Sequence, residues 1–372
     1  MRVLILNERD PEHPRAGGAE THVHEIFHRL AARGHAVTLC SSAFGGGAAR
    51  TELDAVRIER RGRLPWHYPL AAVHCARTTR RGGIDVVVDC LNKLPYLAPL
   101  YAATPVLGLC HHLFGSTAFR QVAPPVAAAV WLAERAVPRV FRKSRLVAIS
   151  ESTRDDLVTR GLSADAIEVQ HPGIRRPETR AEPVSRREPW LVYVGRLEAY
   201  KRVDWLLEVL ARVAARVPDA RLAVLGRGRE APRLARRARE LGVAERVHFA
   251  GYVSDAERDG WLARARVCVC ASTKEGFGLS VIEANALGTP NVATAAPGLR
   301  DTVRHDETGF LVPAEDLAGF AARVESLLCD DALAERLSRA SLEWSQRFDW
   351  ERTADAMERS LEAVAGSAAA AA

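Results

Sequence analysis

The sequence contains no run of about 18 apolar residues, so it predicts no helix able to cross a bilayer. Its longest apolar stretch, Val122–Ala133, carries Pro124 and Pro125. The opening Val3–Leu6 is too short for the apolar core of a secretory leader and runs into Asn-Glu-Arg-Asp, so no targeting segment and a cytoplasmic location are expected. None of the seven cysteines forms a C-x2-C pair, which argues against a zinc site. Cys268 and Cys270, two apart in an apolar run, read as reduced thiols on one face of a strand. Only four of the 52 basic residues are lysine, and the arginines are not interleaved with aromatics, so nucleic-acid binding is not indicated.

What is present is an ordinary balance, 48% hydrophobic and 26% charged, over 372 residues, enough for two α/β domains. The net charge of +6 is uneven. Residues 1–183 hold 25 Lys and Arg against 18 Asp and Glu, and the remainder holds 27 against 28. A basic first half suits an anionic partner or a membrane surface, although an Arg-rich composition alone would produce the same bias.

Short apolar runs alternate with helical patterns. Val3–Asn7 reads as a buried strand, and Val23, Ile26, Phe27 and Leu30 lie on one helical face. Further strands are expected at Val37–Cys40, Ile84–Asp89, Pro105–Cys110 and Leu146–Ile149. The alternation pauses over 171–189, rich in Pro, Arg and Glu, which reads as a linker. It restarts with strands at Trp190–Val194, Arg221–Leu225, Val267–Ala271 and Asn291–Thr294, and helices at Val203–Val217 and Val281–Leu287. From Ala314 the pattern is helical, ending in Ala365–Ala372, expected to fray. Such alternation predicts parallel sheets wrapped on both faces: a first domain over 1–178, a linker over 179–188 and a second domain over 189–348. Ligands of such sheets sit outside the carboxyl ends of the strands, which places the expected site in a cleft between the domains.

Four loops follow strands and carry chemistry. Gly17-Gly18-Ala19-Glu20 precedes a helix, where glycines admit a ligand and the helix start favours an anion; a plain loop-to-helix junction is the other reading. Gly195-Arg196-Leu197 with Lys201 sets two cations before a helix, against its dipole, which suits an anionic ligand such as a diphosphate; a solvated basic loop is the other reading. In Glu275-Gly276-Phe277-Gly278-Leu279-Ser280…Glu283, two carboxylates flank backbone amides that suit phosphate oxygens. Ser280 and Glu283 also fit a capping box. His111 and His112 follow a strand, where a histidine can serve as acid or base, or simply satisfy its loop. His13, His22, His24, His28 and His305 lack comparable context and read as surface residues.

Taken together, these loops resemble glycosyltransferase family 4 and its GT-B fold, over nearly the whole chain from Arg2 to about Trp350. The resemblance implies a retaining, nucleotide-sugar-dependent transferase of the hexosyltransferase type, with two doubly wound Rossmann-like domains facing across a cleft. It implies that Arg196 and Lys201 clamp the donor diphosphate, that Glu275 holds the transferring sugar and that Glu283 holds the ribose. Backbone at Phe277, Gly278 and Leu279, with Ser280 beside them, would contact the donor. Gly17 and Gly18 would sit beside the diphosphate and acceptor, and His111 near the reacting centre, with His112 as the alternative. Gly226-Arg227-Gly228 and Gly251-Tyr252-Val253 would line the base pocket, and the helix in 349–372 would cross back to the first domain.

The sequence departs from the family in three places: Arg202 follows the lysine where glycine is frequent, Gly226-Arg227-Gly228-Arg229 is more basic than usual, and Ala296-Pro297-Gly298 replaces a Gly-Gly pair. No D-x-D motif occurs, so no metal is expected to bridge the diphosphate; the cosubstrate is a nucleotide-diphosphate sugar, UDP first and GDP second, and no cofactor is implied. The acceptor would be a small molecule or a lipid-linked saccharide, with peripheral membrane contact through the basic half. A GT-B phosphorylase or epimerase, a silent sugar-nucleotide binder and a basic membrane-docking scaffold are the competing readings.

Overall fold

The computed structural model describes residues 1–115, 119 and 123–369. It divides into two compact units, Met1–Gly173 with the segment from Asp349 onward, and Ile174–Phe348. Val122 of the long apolar run and residues 370–372 of the alanine-rich end lie outside the described residues.

Among the described residues the first unit is built on eight strands: β1 (Arg2–Leu6), β2 (Ala36–Ser41), β3 (Arg50–Leu53), β4 (Val56–Arg60), β5 (Val86–Leu91), β6 (Val106–Cys110), β7 (Leu146–Ala148) and β8 (Ile167–Val169). Their order is β3-β4-β2-β1-β5-β6-β7-β8. Helices α1 (Gly18–Ala32), α2 (His67–Arg80), α3 (Pro124–Val140) and α4 (Glu151–Thr159) connect them. Every residue of β5 is buried, as expected of a strand covered on both faces. The chain steps from β1 to β2 on one side and later to β5 on the other, so the sheet's switch point lies at the carboxyl end of β1.

The expectation of a wholly parallel sheet needs one correction. β3 and β4 form an antiparallel hairpin closed by Asp54 and Ala55, both at positive φ. That is the mirror-image turn whose twist matches its strands, and it normally uses Asn-Gly or Asp-Gly. Alanine in the second position removes the sequence signal. α3 begins at the prolines that interrupt its apolar run, because the first turn of a helix has no use for their missing N–H groups.

The second unit carries six parallel strands: β9 (Trp190–Val194), β10 (Arg221–Leu225), β11 (Val247–Gly251), β12 (Val267–Cys270), β13 (Asn291–Thr294) and β14 (Gly309–Val312). Their order is β11-β10-β9-β12-β13-β14, so the switch point is at the end of β9. Six helices complete the unit: α5 (Val203–Ala214), α6 (Ala231–Glu240), α7 (Asp255–Arg264), α8 (Leu279–Asn285), α9 (Leu317–Cys329) and α10 (Asp331–Ser345). α5 ends before the expected Val217, because Pro218 disfavours helical backbone in the residue before it. β8, β11 and β14 are too short or too polar to be read from periodicity. Cys268 and Cys270 are buried in β12.

At the carboxyl edge of this sheet three loops cross closely. The Gly195 amide donates to the Leu225 carbonyl at 2.9 Å, the Gly226 amide to the Gly251 carbonyl at 2.6 Å, and the Leu197 amide to the Arg227 carbonyl at 2.9 Å. Gly226 adopts φ +144°, and a Cβ there would stand 1.9 Å from the Gly195 oxygen. A Cβ on Gly228 would stand 2.1 Å from the Leu197 oxygen. Backbone thus packs on backbone with no room for a side chain.

The last helix, α11 (Trp350–Ala369), belongs to the first unit. Ala354, Met357, Leu361 and Val364 form its buried stripe. Arg33 meets Glu351, Asp355 and Glu358 at 2.7–2.9 Å, and His35 meets Glu358 at 2.7 Å. Partly exposed pairs of this kind contribute up to about 1 kcal/mol each. Burial of the apolar stripe contributes more. Leu361→Ala is therefore expected to cost about 2–5 kcal/mol and Arg33→Ala far less, read by thermal denaturation. Equal losses would mean that ion pairs hold this helix. Gly226→Ala is expected to destabilise the second unit by about 1–3 kcal/mol or more through strain at the crossing, and an unchanged melting temperature would show that the loops separate freely.

Candidate active site

The residues singled out in the second unit sit on the loops that follow β9, β10, β11 and β12. Gly195 takes φ +156° directly after β9 and turns the chain so that the Tyr193 hydroxyl donates to the Arg196 carbonyl at 2.9 Å. Arg196 is exposed, and its guanidinium donates to the Tyr200 hydroxyl at 3.1 Å. A short 3-10 turn, Ala199–Lys201, brings the Lys201 ammonium against the Glu275 carboxylate. Both side chains are 14% exposed. Burial alone would lower the Lys201 pKa, but Glu275, foremost among its neighbours, offsets this and the ammonium is held above its ordinary value. The Thr273 amide donates to the Tyr200 carbonyl at 2.9 Å, tying the two loops together.

Glu275 is itself held by residues that the sequence did not single out for this purpose. Its amide donates to the Pro297 carbonyl at 3.0 Å. Gly298, at φ +80°, leaves only 2.5 Å between a built Cβ and the Glu275 backbone carbonyl oxygen. The departure from a Gly-Gly pair thus keeps the one glycine that this contact requires. Arg202, standing where glycine is frequent, takes φ +52° and ψ +39° at the start of α5. Left-handed backbone costs a non-glycine residue about 1–2 kcal/mol, so the loop retains the geometry that glycine would supply at no strain.

After Glu275 the chain passes Phe277, which is buried, and turns tightly at Gly278. There the Leu279 amide donates to the Phe277 carbonyl at 3.0 Å, closing a three-residue turn at φ −83° and ψ +67°. The amides expected to be open from Phe277 to Ser280 are therefore not all so, since Leu279 spends its own internally. Ser280 does not cap α8, whose flanking residue is Gly278 with no side-chain cap bond. Glu283 instead pairs with Arg258 at 3.1 Å. Burial pushes the Glu283 carboxyl up, and Arg258 opposes the shift. Arg258 also meets Asp255 and Asp259 at 2.9 Å, and Arg175 meets Asp259 at 2.6 Å. Arg258 was not legible as a site residue, because its partner lies 25 residues away on another helix. On the β11 side, the Arg227 guanidinium lies 5.4 Å from the Tyr252 ring centre, and Tyr252 is 72% exposed. Val253 packs against the apolar cluster beneath.

In the first unit the residues collect at the ends of β1, β5 and β6. Gly17 precedes α1 in extended backbone, and a Cβ there would meet nothing nearer than the Glu20 carboxylate at 3.8 Å. The fold thus does not require glycine at this position. Gly18 opens the helix and is exposed. Glu20 accepts from the Gly17 amide at 2.8 Å and from Lys93 at 2.7 Å. His111 follows β6 and is buried. His112 is half-buried, its ring edge-on to Phe114. His22 is also buried, which corrects its reading as a surface residue: it lies on the inner face of α1, beside Val23 and Ile26, and its Nδ1 stands 3.1 Å from His111 Nε2. Burial lowers the His22 pKa to about 3 and holds His111 well below its ordinary value, so both rings are neutral near pH 7. Among the described residues no helix is long and apolar enough to cross a membrane, and no three His, Cys, Asp or Glu side chains gather as a metal site.

Two family models match the chain, one described as Glycosyltransferase Family 4 over residues 16–176 and one as Glycosyl transferases group 1 over residues 175–344. A D-inositol 3-phosphate glycosyltransferase of Kribbella flavida is 33% identical over 229 residues, covering 56% of this chain and 54% of that protein. The chain thus spans about half the length of that relative. A glycogen synthase of Mycobacterium tuberculosis is 29% identical over 391 residues, covering 96% of this chain and 93% of that protein. Among solved structures, sucrose-phosphate synthase from Thermosynechococcus elongatus superposes with a TM-score of 0.80 at 23% identity, covering 96% of this chain and 97% of that one. Anabaena HepE in complex with UDP and glucose gives 0.79 at 19%, covering 98% and 100%. The structural likeness shows the GT-B fold, with its two Rossmann-like domains. Since the two family models together take in residues 16–344, the chain belongs to the family 4 glycosyltransferases.

Proposed function

We propose that this protein transfers a hexosyl group from a nucleoside-diphosphate sugar to a hydroxyl acceptor, with retention of configuration and without a metal. The observation that carries this reading is the Lys201 ammonium held against Glu275, on loops tied together beside Arg196. A departing nucleoside diphosphate gains negative charge as its bond to the sugar breaks. Cations already in place stabilise that charge without reorganising. Lys201 carries three N–H donors and spends one on Glu275, which leaves donors for phosphate oxygens. Glu275 is assigned to the hydroxyls of the transferring sugar, and Glu283, shared with Arg258, to the ribose. Backbone from Phe277 through Gly278 and Leu279 to Ser280 is assigned to donor sugar and phosphate. Arg227 and Tyr252 offer a flat surface to the base, with Val253 beneath.

In this reading the acceptor hydroxyl attacks the anomeric carbon on the face from which the diphosphate departs. The carbon–oxygen bond to the diphosphate breaks, the new glycosidic bond forms on that face, and the hydroxyl proton passes to the departing phosphate oxygen. No covalent enzyme intermediate is needed. His111 is assigned to the reacting centre, and Gly17 and Gly18 to the acceptor. UDP is the first choice of nucleotide, in keeping with the UDP and glucose bound to HepE, and GDP the second.

The acceptor is proposed to be a small molecule or a lipid-linked saccharide. Peripheral membrane contact is supported by the basic first half and by α3, where Val126 and Leu132 are exposed alongside Arg135 and Arg139.

A saturating UDP-sugar at about 100 times its Kd is expected to stabilise the protein by about 2.7 kcal/mol, read as a thermal shift. Lys201→Ala and Glu275→Ala are each expected to lose about a hundredfold or more in transfer or donor hydrolysis while remaining folded. Transfer at the parent rate in Lys201→Ala would remove the clamp from the account. For membrane contact, sedimentation with phosphatidylglycerol vesicles is expected and should weaken as salt rises. Equal recovery with phosphatidylcholine vesicles, or none with either, counts against it.

A further inference from the structure

His22 and His111 come from different elements, α1 and the end of β6, and meet ring to ring. Their centroids are 4.9 Å apart and their planes nearly perpendicular, at 88°. The contact joins His22 Nδ1 to His111 Nε2 at 3.1 Å. The other nitrogen of each ring, His22 Nε2 and His111 Nδ1, is buried and has no hydrogen-bond partner among the described residues. The backbone around His111 is fixed, its amide donating to the Leu91 carbonyl at 3.2 Å and its carbonyl accepting from Thr153 Oγ1 at 3.3 Å. Trp350 also lies against His22, with ring centroids 5.8 Å apart.

We propose that His22 is a positioning residue for His111: it holds the ring, couples the two tautomers, and leaves His111 Nδ1 as the single ring nitrogen that can address a ligand. The coupling follows from which atoms meet. A neutral imidazole carries one proton, and the shared bond needs one. If that proton sits on His22 Nδ1, His22 Nε2 is bare. His111 Nε2 then accepts, so His111 carries its own proton on Nδ1, which becomes a donor. If the proton sits on His111 Nε2, then His111 Nδ1 is bare and accepts, and His22 must carry its proton on Nε2. Both rings therefore always share the same tautomer. A ligand at His111 Nδ1 thus selects the tautomer of both rings together. Burial, which keeps both rings neutral, is consistent with this arrangement.

The proposal rests on the assignment of His111 to the reacting centre. Its primary test does not. In the full-length protein labelled with 15N-histidine, long-range proton–nitrogen correlations report the tautomer of each ring, and His22→Phe and His111→Phe assign the signals. The two rings are expected to show the same tautomer. His22→Asn keeps a polar group near the Nδ1 position and is expected to preserve a hydrogen bond to His111 Nε2. His22→Phe removes that bond and is expected to move the His111 nitrogen signals. With UDP-glucose hydrolysis as the activity, His22→Phe should lower kcat about tenfold to a hundredfold with KM near the parent value, because His22 acts through a ring and not on the donor. His22→Asn should recover most of that loss. The double variant with His111→Phe should be no slower than His111→Phe alone. Opposite tautomers in the two rings, a His111 signal unchanged in His22→Phe, or losses that multiply in the double variant would each overturn the proposal. Parent-level hydrolysis in His111→Phe would sink the catalytic assignment instead, while the tautomer pattern still decides whether the pair exists.

Discussion

The second unit depends on how closely three backbones approach at one edge of its sheet. Loops after β9, β10 and β11 bond amide to carbonyl, and Gly226 and Gly228 lie where any side chain would collide with the neighbouring loop. That packing fixes Gly195 and the turn after it, and so sets where Arg196 and Lys201 can reach. The Thr273–Tyr200 bond passes the constraint to Glu275, and Gly298 supports Glu275 from behind. A cation and a carboxylate that look merely adjacent are thus the end of a chain of backbone contacts. The charge pair by itself would not place them, since two flexible side chains in water gain little by meeting.

The first unit solves a related problem with side chains. Glu20 bridges the start of α1 and Lys93, and His22 bridges the inner face of α1 and the end of β6. The helix that opens at Gly18 is consequently tied to the ends of two strands by polar contacts as well as by its apolar face. Buried polar contacts of this kind specify one arrangement, because each unmatched alternative leaves a desolvated group without a partner.

Most of the framework was legible because parallel strands covered on both sides read as unbroken apolar runs, and β1, β9, β10 and β13 fall within a residue of where those runs lie. The β3–β4 hairpin was not, since Asp54-Ala55 adopts positive φ without the glycine that signals such a turn. In the site, the motif loops were legible from spacing, but their partners were not. Arg258 reaches Glu283 from a different helix, Pro297 and Gly298 reach Glu275 from the loop after β13, and His22 reaches His111 over 89 residues. Each of these contacts is set by how elements pack, and no local pattern encodes it. His22 misled for the same reason: a polar residue on a helix reads as outward-facing unless the burial of its neighbours, Val23 and Ile26, is weighed first.

The placement of α11 has a consequence for how the molecule is assembled. The first unit takes its remaining core residues, Met357 and Leu361 among them, from a segment synthesised after the whole second unit. A nascent chain leaving the ribosome can therefore complete the later unit before the earlier one. Until α11 docks, the surface on α1 that receives it stays open to water. The first unit is thus completed only once the segment from Asp349 has been made, after the whole of the second unit.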